Sequence, residues 1–161
     1  MRKITFSDIS TLIVSIFICQ FAGIIGSFSI KPAMQGWYQT LNKPFFTPPN
    51  WLFAPVWVIL FFLMGIALFL ILKKGPKSGR YKKALYVFSL QFCLNILWSF
   101  LFFALKSPGL AFLEIILLLA AILHTILIFY KIKPKAGLIL LPYFFWVIYA
   151  AALNYAVWIM N

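Results

Sequence analysis

Acid–base and metal chemistry have few residues to draw on in this chain. Among its 161 residues are two acids, Asp8 and Glu114, one histidine, His124, and two cysteines, Cys19 and Cys93. Hydrolysis by paired carboxylates needs both acids in one site, and a nucleophilic relay needs a histidine beside its serine or cysteine. Asp8 and Glu114 belong to different segments and to opposite ends of them, so they do not pair. Glu114 and His124 stand ten residues apart; that is about 15 Å along a helix, and on different faces, which rules out a shared metal. Cys19 and Cys93 have neither ligand spacing nor a disulfide pattern and read as small buried hydrophobes. No metal site is expected. What the chain has in quantity is indole. The stretch WYQTLNKPFFTPPNWLFAPVW, residues 37–57, holds three of the six tryptophans and four of the nine prolines. Indoles offer flat apolar faces for stacking and an N–H for orientation.

The elements that must hold those rings follow from composition. With 65% hydrophobic residues and a mean hydropathy of +1.03, the chain carries more apolar surface than a soluble domain of its size can bury. A bilayer-crossing helix takes about 20 apolar residues. Five segments qualify, at about 9–30, 51–72, 82–105, 108–130 and 136–159. The expected fold is therefore all-α: an integral membrane protein, one domain over 1–161, built as a single bundle of five transmembrane helices. Arg2 and Lys3 precede the first apolar run, but that run is too long for a signal-peptide core, and no small-residue cleavage pattern closes it.

Net charge is +12, and its placement argues against nucleic acid. Arg2 and Lys3, then Lys73, Lys74, Lys77, Arg80, Lys82 and Lys83, then Lys131, Lys133 and Lys135 all fall on one side of the five spans. Lys31, Lys43 and Lys106 fall on the other. The positive-inside rule puts the N-terminus in the cytoplasm, and the C-terminus and the 31–50 loop outside the cell membrane. The basic turn at 73–83 suits anionic lipid headgroups.

Residues 31–50 read as a stiff lid, because Pro32, Pro44, Pro48 and Pro49 fix φ and remove donors. The next helix starts either with Asn50 as its cap or nearer Pro55. Pro142 is expected to loosen the fifth span, and Ser107 in KSPG to cap the fourth. Small-residue pairs, Ala22 with Gly26, Gly23 with Ser27 and Ala152 with Ala156, mark close helix contacts, within the bundle or at a homodimer face. No matched broken helices or internal repeat point to an inverted-repeat transporter.

With helices alternating in direction, Ser27, Trp51, Asn95, Trp98, Phe102, Glu114, Ala150 and Asn154 all fall in the lid-side half, and Trp146 near the middle. Asn95, Trp98 and Phe102 share one helix face; Trp146, Ala150, Leu153, Asn154 and Val157 share another. Two readings stay open. Either these faces wall a pocket for a large flat ligand with a polar edge, or Trp37 and Trp158 form an interfacial belt while Gln91, Asn95 and Asn154 join helices. Glu114 is likewise open between a polar cavity and an early-turn carboxylate favoured by the helix dipole and paired with Lys106.

The lid motif with the LFFLMG that follows, SLQFCLNILWSFLFF at 89–103 and PYFFWVIYAAALNYAVW at 142–158, in that order, resemble the TspO/MBR family of tryptophan-rich sensory proteins, and its bacterial members in particular. Mitochondrial members are the translocator protein, or peripheral benzodiazepine receptor. The resemblance covers nearly the whole chain. It implies a five-helix bundle, often a homodimer, that binds porphyrins such as protoporphyrin IX and synthetic benzodiazepine-type molecules and needs no cofactor. Carried over by position, the ligand site comprises Ser27, Ile30, Thr47, Trp51, Phe53, Ala54, Trp98, Trp146, Ala150, Leu153 and Asn154. Trp51 and Trp146 are then the candidates for light- and oxygen-dependent breakdown of bound protoporphyrin IX. Transport of tetrapyrroles, or ligand sensing passed to a partner, are the competing implications. Thr47 stands where mitochondrial members have histidine, and Leu110 where they have tryptophan. The ending LNYAVWIMN has no basic residue to complete their proposed sterol motif, so sterol transport is not carried over.

Overall fold

The computed structural model describes residues 5–76 and 79–161. Arg2, Lys3 and Lys77 of the expected basic set lie outside the described residues. Helices account for the architecture: α1 Phe6–Gln35, α2 Trp37–Thr40, α3 Asn50–Lys74, α4 Tyr81–Ser99, α5 Pro108–Ile132, α6 Pro134–Leu138 and α7 Leu141–Met160. A π-helical turn at Phe100–Ala104 continues α4, and α6 and α7 together form the last span. Five segments are long and apolar enough to cross a bilayer, as composition predicts. Helix is the form lipid demands, since it satisfies backbone groups within the segment. Phe17, Phe21, Phe28, Phe62 and Phe145 accordingly point outward, where lipid replaces water as their solvent.

α5 is the hub, touching α3, α4, α6 and α7, while α1 lies along α3 and reaches across to α4 and its π turn. The α1–α3 contact is close because Gly65 has no side chain: a Cβ there would stand 2.6 Å from the Ile16 Cα. Ala22 and Gly26 of α1 are buried, Gly26 against Ser99, and Gly23 faces Phe61. Ala22, Gly23 and Gly26 of the expected small-residue pairs thus pack inside the bundle, whereas Ser27 is half-buried and Ala152 exposed.

At the end bearing most of the lysines, Thr5 and Asp8 form a reciprocal capping box that starts α1. Asp8 also pairs with Lys73 at 3.0 Å, joining the ends of α1 and α3. Gly75 closes α3 with φ +69°, a left-handed conformation that costs glycine nothing, and its N–H reaches the Ile71 and Leu72 carbonyls.

Several local expectations need correction. α1 does not stop at Ile30 but runs through Pro32 to Gln35, so the irregular lid is shorter than 31–50. A proline removes one bond from a helix already many turns long, and buried Ala33 and core-packed Met34 hold the extra turn in place. Asn50 is the first residue of α3 rather than its cap; Pro49 takes the cap position and Pro55 sits within the helix. Ser107 occupies the cap position of α5 without a side-chain bond. The chain reverses instead at Lys106, φ +51°, just after the π turn. Cys19 is buried as expected, but Cys93 faces outward. In lipid an outward thiol carries no solvation penalty, so composition could not place it. Pro142 does more than loosen its span: residues 139–140 leave the helix, and α7 restarts with Pro142 in its first turn.

Candidate functional site

The π turn decides which aromatics face inward. Its extra residue shifts the register after Ser99, so Phe102 and Phe103 both turn toward the bundle beside Trp98. Trp98 stacks on Phe102 at 5.4 Å between centroids, Phe102 meets Phe103 at 4.9 Å, and Tyr38 of α2 lies over both at 6.4 and 6.0 Å. Trp37 contacts the edge of Phe102 at 5.7 Å. It is therefore part of this cluster, while the exposed Trp158 is left for the interfacial role.

These rings border a cavity at the lid end of about 30 Å³, lined by Tyr38, Phe53, Trp98, Phe102, Phe103, Ala150, Leu153, Asn154 and Val157. Asn154 is its polar element. The Trp98 Nε1–H donates to Asn154 Oδ1 at 3.0 Å, and Asn154 Nδ2 donates to the Pro108 carbonyl at 2.7 Å. The amide thus fixes the indole of α4 to the start of α5, and does so while 2% exposed.

Of the residues expected at a ligand site, Phe53, Trp98, Ala150, Leu153 and Asn154 come together here. Trp146 stands just behind, edge-on to Phe53 at 6.3 Å, and its buried Nε1 has no hydrogen-bond partner among the described residues. Ile30 packs on the core from α1. The Ser27 hydroxyl is engaged within its own helix, donating to the Ile24 carbonyl at 2.7 Å. Thr47 turns back on Pro44, giving it both its N–H and its hydroxyl at 3.0 and 2.8 Å. Trp51 is 71% exposed at the start of α3, and Ala54 is exposed beside it. None of these six positions, Trp146, Ile30, Ser27, Thr47, Trp51 and Ala54, lines the cavity. Tyr38 and Phe103 do line it, and the sequence reading missed both. Tyr38 gave a signal, as an aromatic within the lid motif; Phe103 gave none, because its inward position depends on the π turn.

The lid is fastened at several points. Tyr149 O–H donates to the Phe46 carbonyl at 2.6 Å. Asn42 and Asn161 bond reciprocally: the Asn42 N–H reaches Asn161 Oδ1, and Asn161 Nδ2 reaches the Asn42 carbonyl, both at 3.0 Å. Lys43 places its ammonium 4.8 Å from the centre of the Tyr38 ring, a cation held over an aromatic face near the mouth. Burial raises the Tyr38 phenol above its ordinary value.

The chemistry available is stacking, one amide's hydrogen bonds and a nearby cation. No cluster of metal-ligating side chains occurs among the described residues. His124 is exposed on α5, ten residues beyond Glu114 and away from the lid. A larger open hollow of about 310 Å³ lies between α1 and α4, lined by Ile25, Gly26, Ser29, Cys93, Ile96, Leu97 and Phe100.

Residues 15–159 match the model of the TspO/MBR family. The chain is 43% identical over 154 residues to the tryptophan-rich protein TspO of Archaeoglobus fulgidus, covering 96% of this chain and 99% of that one. It is 34% identical to the translocator protein of Ovis aries, over 84% of this chain and 81% of the relative. The tryptophan-rich sensory protein of Cereibacter sphaeroides is 31% identical over 78% of this chain and 77% of its own. Motif order, five apolar spans and near full-length similarity agree, and the chain is a multi-pass membrane protein of the TspO/MBR family.

Proposed function

We propose that the protein is a membrane receptor for tetrapyrroles, with protoporphyrin IX as the reference ligand, and that it promotes their light- and oxygen-dependent breakdown. The observation that carries this reading is the lid-end cavity: stacked aromatics on three sides, one fixed amide, and a latched proline-rich loop above. A flat macrocycle suits ring stacking, and a carboxylated edge suits Lys43 at the mouth. As found, the cavity is small. Drug-sized ligands occupy about 300–1,000 Å³, and the present cavity measures about 30 Å³. Binding therefore needs the lid lifted and Tyr38 and Phe53 moved aside. That motion would open a path to the Trp146 N–H, unpartnered among the described residues, while Trp51 stands where the lid joins α3. We assign these two indoles to give an electron to a photoexcited ring or to react with the singlet oxygen it generates.

The lid end is read as facing out of the cell membrane, because the lysine-rich connections α3–α4 and α5–α6 share the opposite end. An impermeant thiol label reaching Lys43→Cys in intact cells supports that orientation; labelling only after permeabilisation reverses it. The function is tested by the absorbance of protoporphyrin IX with purified protein, dark and then illuminated, for wild type, Trp51→Phe and Trp146→Phe. Binding in all three with slowed bleaching in a variant supports the proposal. Bleaching no faster than free porphyrin in wild type removes the photochemical half. Faster porphyrin uptake into vesicles holding the protein than into protein-free ones would instead favour carriage across the bilayer.

A further inference from the structure

Of the seven tyrosines in the chain, one touches a tryptophan of the candidate site while also holding the lid. Tyr149 packs its ring on Trp146, three residues earlier in α7, with centroids 5.5 Å apart. Its O–H donates to the Phe46 carbonyl at 2.6 Å. Trp146 in turn stands edge-on to Phe53, and Phe53 lines the lid-end cavity. One row of ring contacts therefore runs from the cavity wall through an indole to a phenol whose hydrogen fastens the lid.

The other six phenols are less suited to give that indole an electron. Tyr81, Tyr86 and Tyr130 belong to the lysine-rich end of the bundle. Tyr155 meets Phe112 and Trp158 instead. Tyr143 lies against Trp57, is 1% exposed, and gives its O–H to the Gln91 side chain, an amide too weakly basic to take the proton. Tyr38 lines the cavity, but the Lys43 ammonium stands 4.8 Å from its ring centre, and a cation there opposes loss of an electron. Among the described residues no cation lies over the Tyr149 ring. Tyr149 is half-buried at the lid edge, where water can accept its proton. Trp146 Nε1 has no hydrogen-bond partner among the described residues, so an oxidised Trp146 has no acceptor for its own proton and remains a radical cation.

We propose that Tyr149 is a secondary electron donor to the lid-end cavity and that its oxidation unfastens the lid, an inference that rests on the photochemical function proposed above. The photoexcited tetrapyrrole takes one electron from Trp146 and passes it to dioxygen, giving superoxide. Tyr149 returns one electron to the indole radical cation, and the phenol proton goes to water. In sum Tyr149 loses one electron and one proton, dioxygen gains the electron, and Trp146 is restored. The phenoxyl oxygen left behind has no hydrogen to donate. It faces the Phe46 carbonyl as one acceptor against another, so a fastening of the lid is lost when light reaches the bound ring.

The full chain in lipid nanodiscs, loaded with protoporphyrin IX in the dark and illuminated under oxygen, should give a tyrosyl radical by electron paramagnetic resonance. Ring-deuterated tyrosine should narrow that signal. Tyr149→Phe should abolish it, Trp146→Phe should weaken it, and Tyr38→Phe should leave it in place. A second measurement needs no variant. After a flash, bound porphyrin should leave the wild type about fivefold faster than in the dark, the factor that one lost hydrogen bond gives. In Tyr149→Phe, release should already be fast in the dark and should not respond to the flash. Bound porphyrin that does not bleach in the wild type overturns the photochemical function and this inference with it. Bleaching without a tyrosyl signal, or with one that survives Tyr149→Phe, overturns this inference alone. A Tyr149 radical with release unchanged by the flash overturns the unfastening.

Discussion

Asn154 is the residue whose loss should separate a walled pocket from a set of rings that happen to meet. Asn154→Leu keeps the volume but removes both bonds, leaving the Trp98 N–H buried without a partner and the half-buried Pro108 carbonyl without its side-chain donor. In water-soluble proteins each orphaned group costs about 1–3 kcal/mol. Inside a bilayer the unfolded reference also finds partners, and measured interhelical bonds average about 0.6 kcal/mol with a ceiling near 1.7. Two bonds then give a loss of about 1–3 kcal/mol, an order-of-magnitude figure. Trp98→Phe removes one bond and preserves most of the stack on Phe102, so it should cost less. The decisive quantity is the coupling. Because the pair shares one bond, the double variant should be less destabilised than the sum of the singles by about 0.6–1.7 kcal/mol. Reversible unfolding in mixed micelles, followed by helix signal and by fluorescence, measures all four proteins. Coupling within about 0.3 kcal/mol of zero means the Trp98–Asn154 bond is not energetically real in the membrane, and refutes the fixed-wall argument.

Two further outcomes follow from distances elsewhere. Gly65→Ala puts a methyl 2.6 Å from the Ile16 Cα, so α1 and α3 must separate; a loss of about 1–3 kcal/mol is expected, read as a lower thermal midpoint, and an unchanged midpoint would show that the helices are not held at this spacing. Tyr149→Phe deletes the bond to the Phe46 carbonyl, worth about 1 kcal/mol net, and should favour the open lid about fivefold. Stopped-flow association of protoporphyrin IX in the dark reads that as a faster on-rate, and an unchanged or slower rate would mean the latch does not gate access.

How much of this was legible in the sequence depends on the length scale of the cause. Spans, helix count and class come from runs of about 20 apolar residues, a signal that survives any local irregularity. Half the candidate site was readable for a similar reason. Trp98 and Phe102, and Ala150, Leu153 and Asn154, recur at helical spacing, and that spacing sets which side chains share a wall. What could not be read rests on single bonds. One extra residue in the turn after Ser99 brings Phe103 inside, and nothing in FLFFALKS announces a π turn rather than an α turn. The run of α1 through Pro32 depends on how Ala33 and Met34 pack, a tertiary effect that outweighs a proline's local preference.

The lid shows the same division, and its consequence is functional. Its prolines were visible, and stiffness follows from them directly. Its closure was not visible, because it depends on Asn42 meeting Asn161 and on Phe46 meeting Tyr149, pairs more than 100 residues apart in sequence. A stiff loop held at two separate points cannot yield gradually; it lifts when its latches release together. If the proposed function holds, that geometry accounts for a cavity of about 30 Å³ in a receptor for a large ring. The stacked aromatics fill the site with their own side chains, so little room is left in the empty pocket. The ligand then replaces ring-on-ring contacts with ring-on-ligand contacts of the same kind. Affinity on this account is the difference between two similar stacks less the cost of unlatching, so the lid residues should tune it as strongly as the walls do.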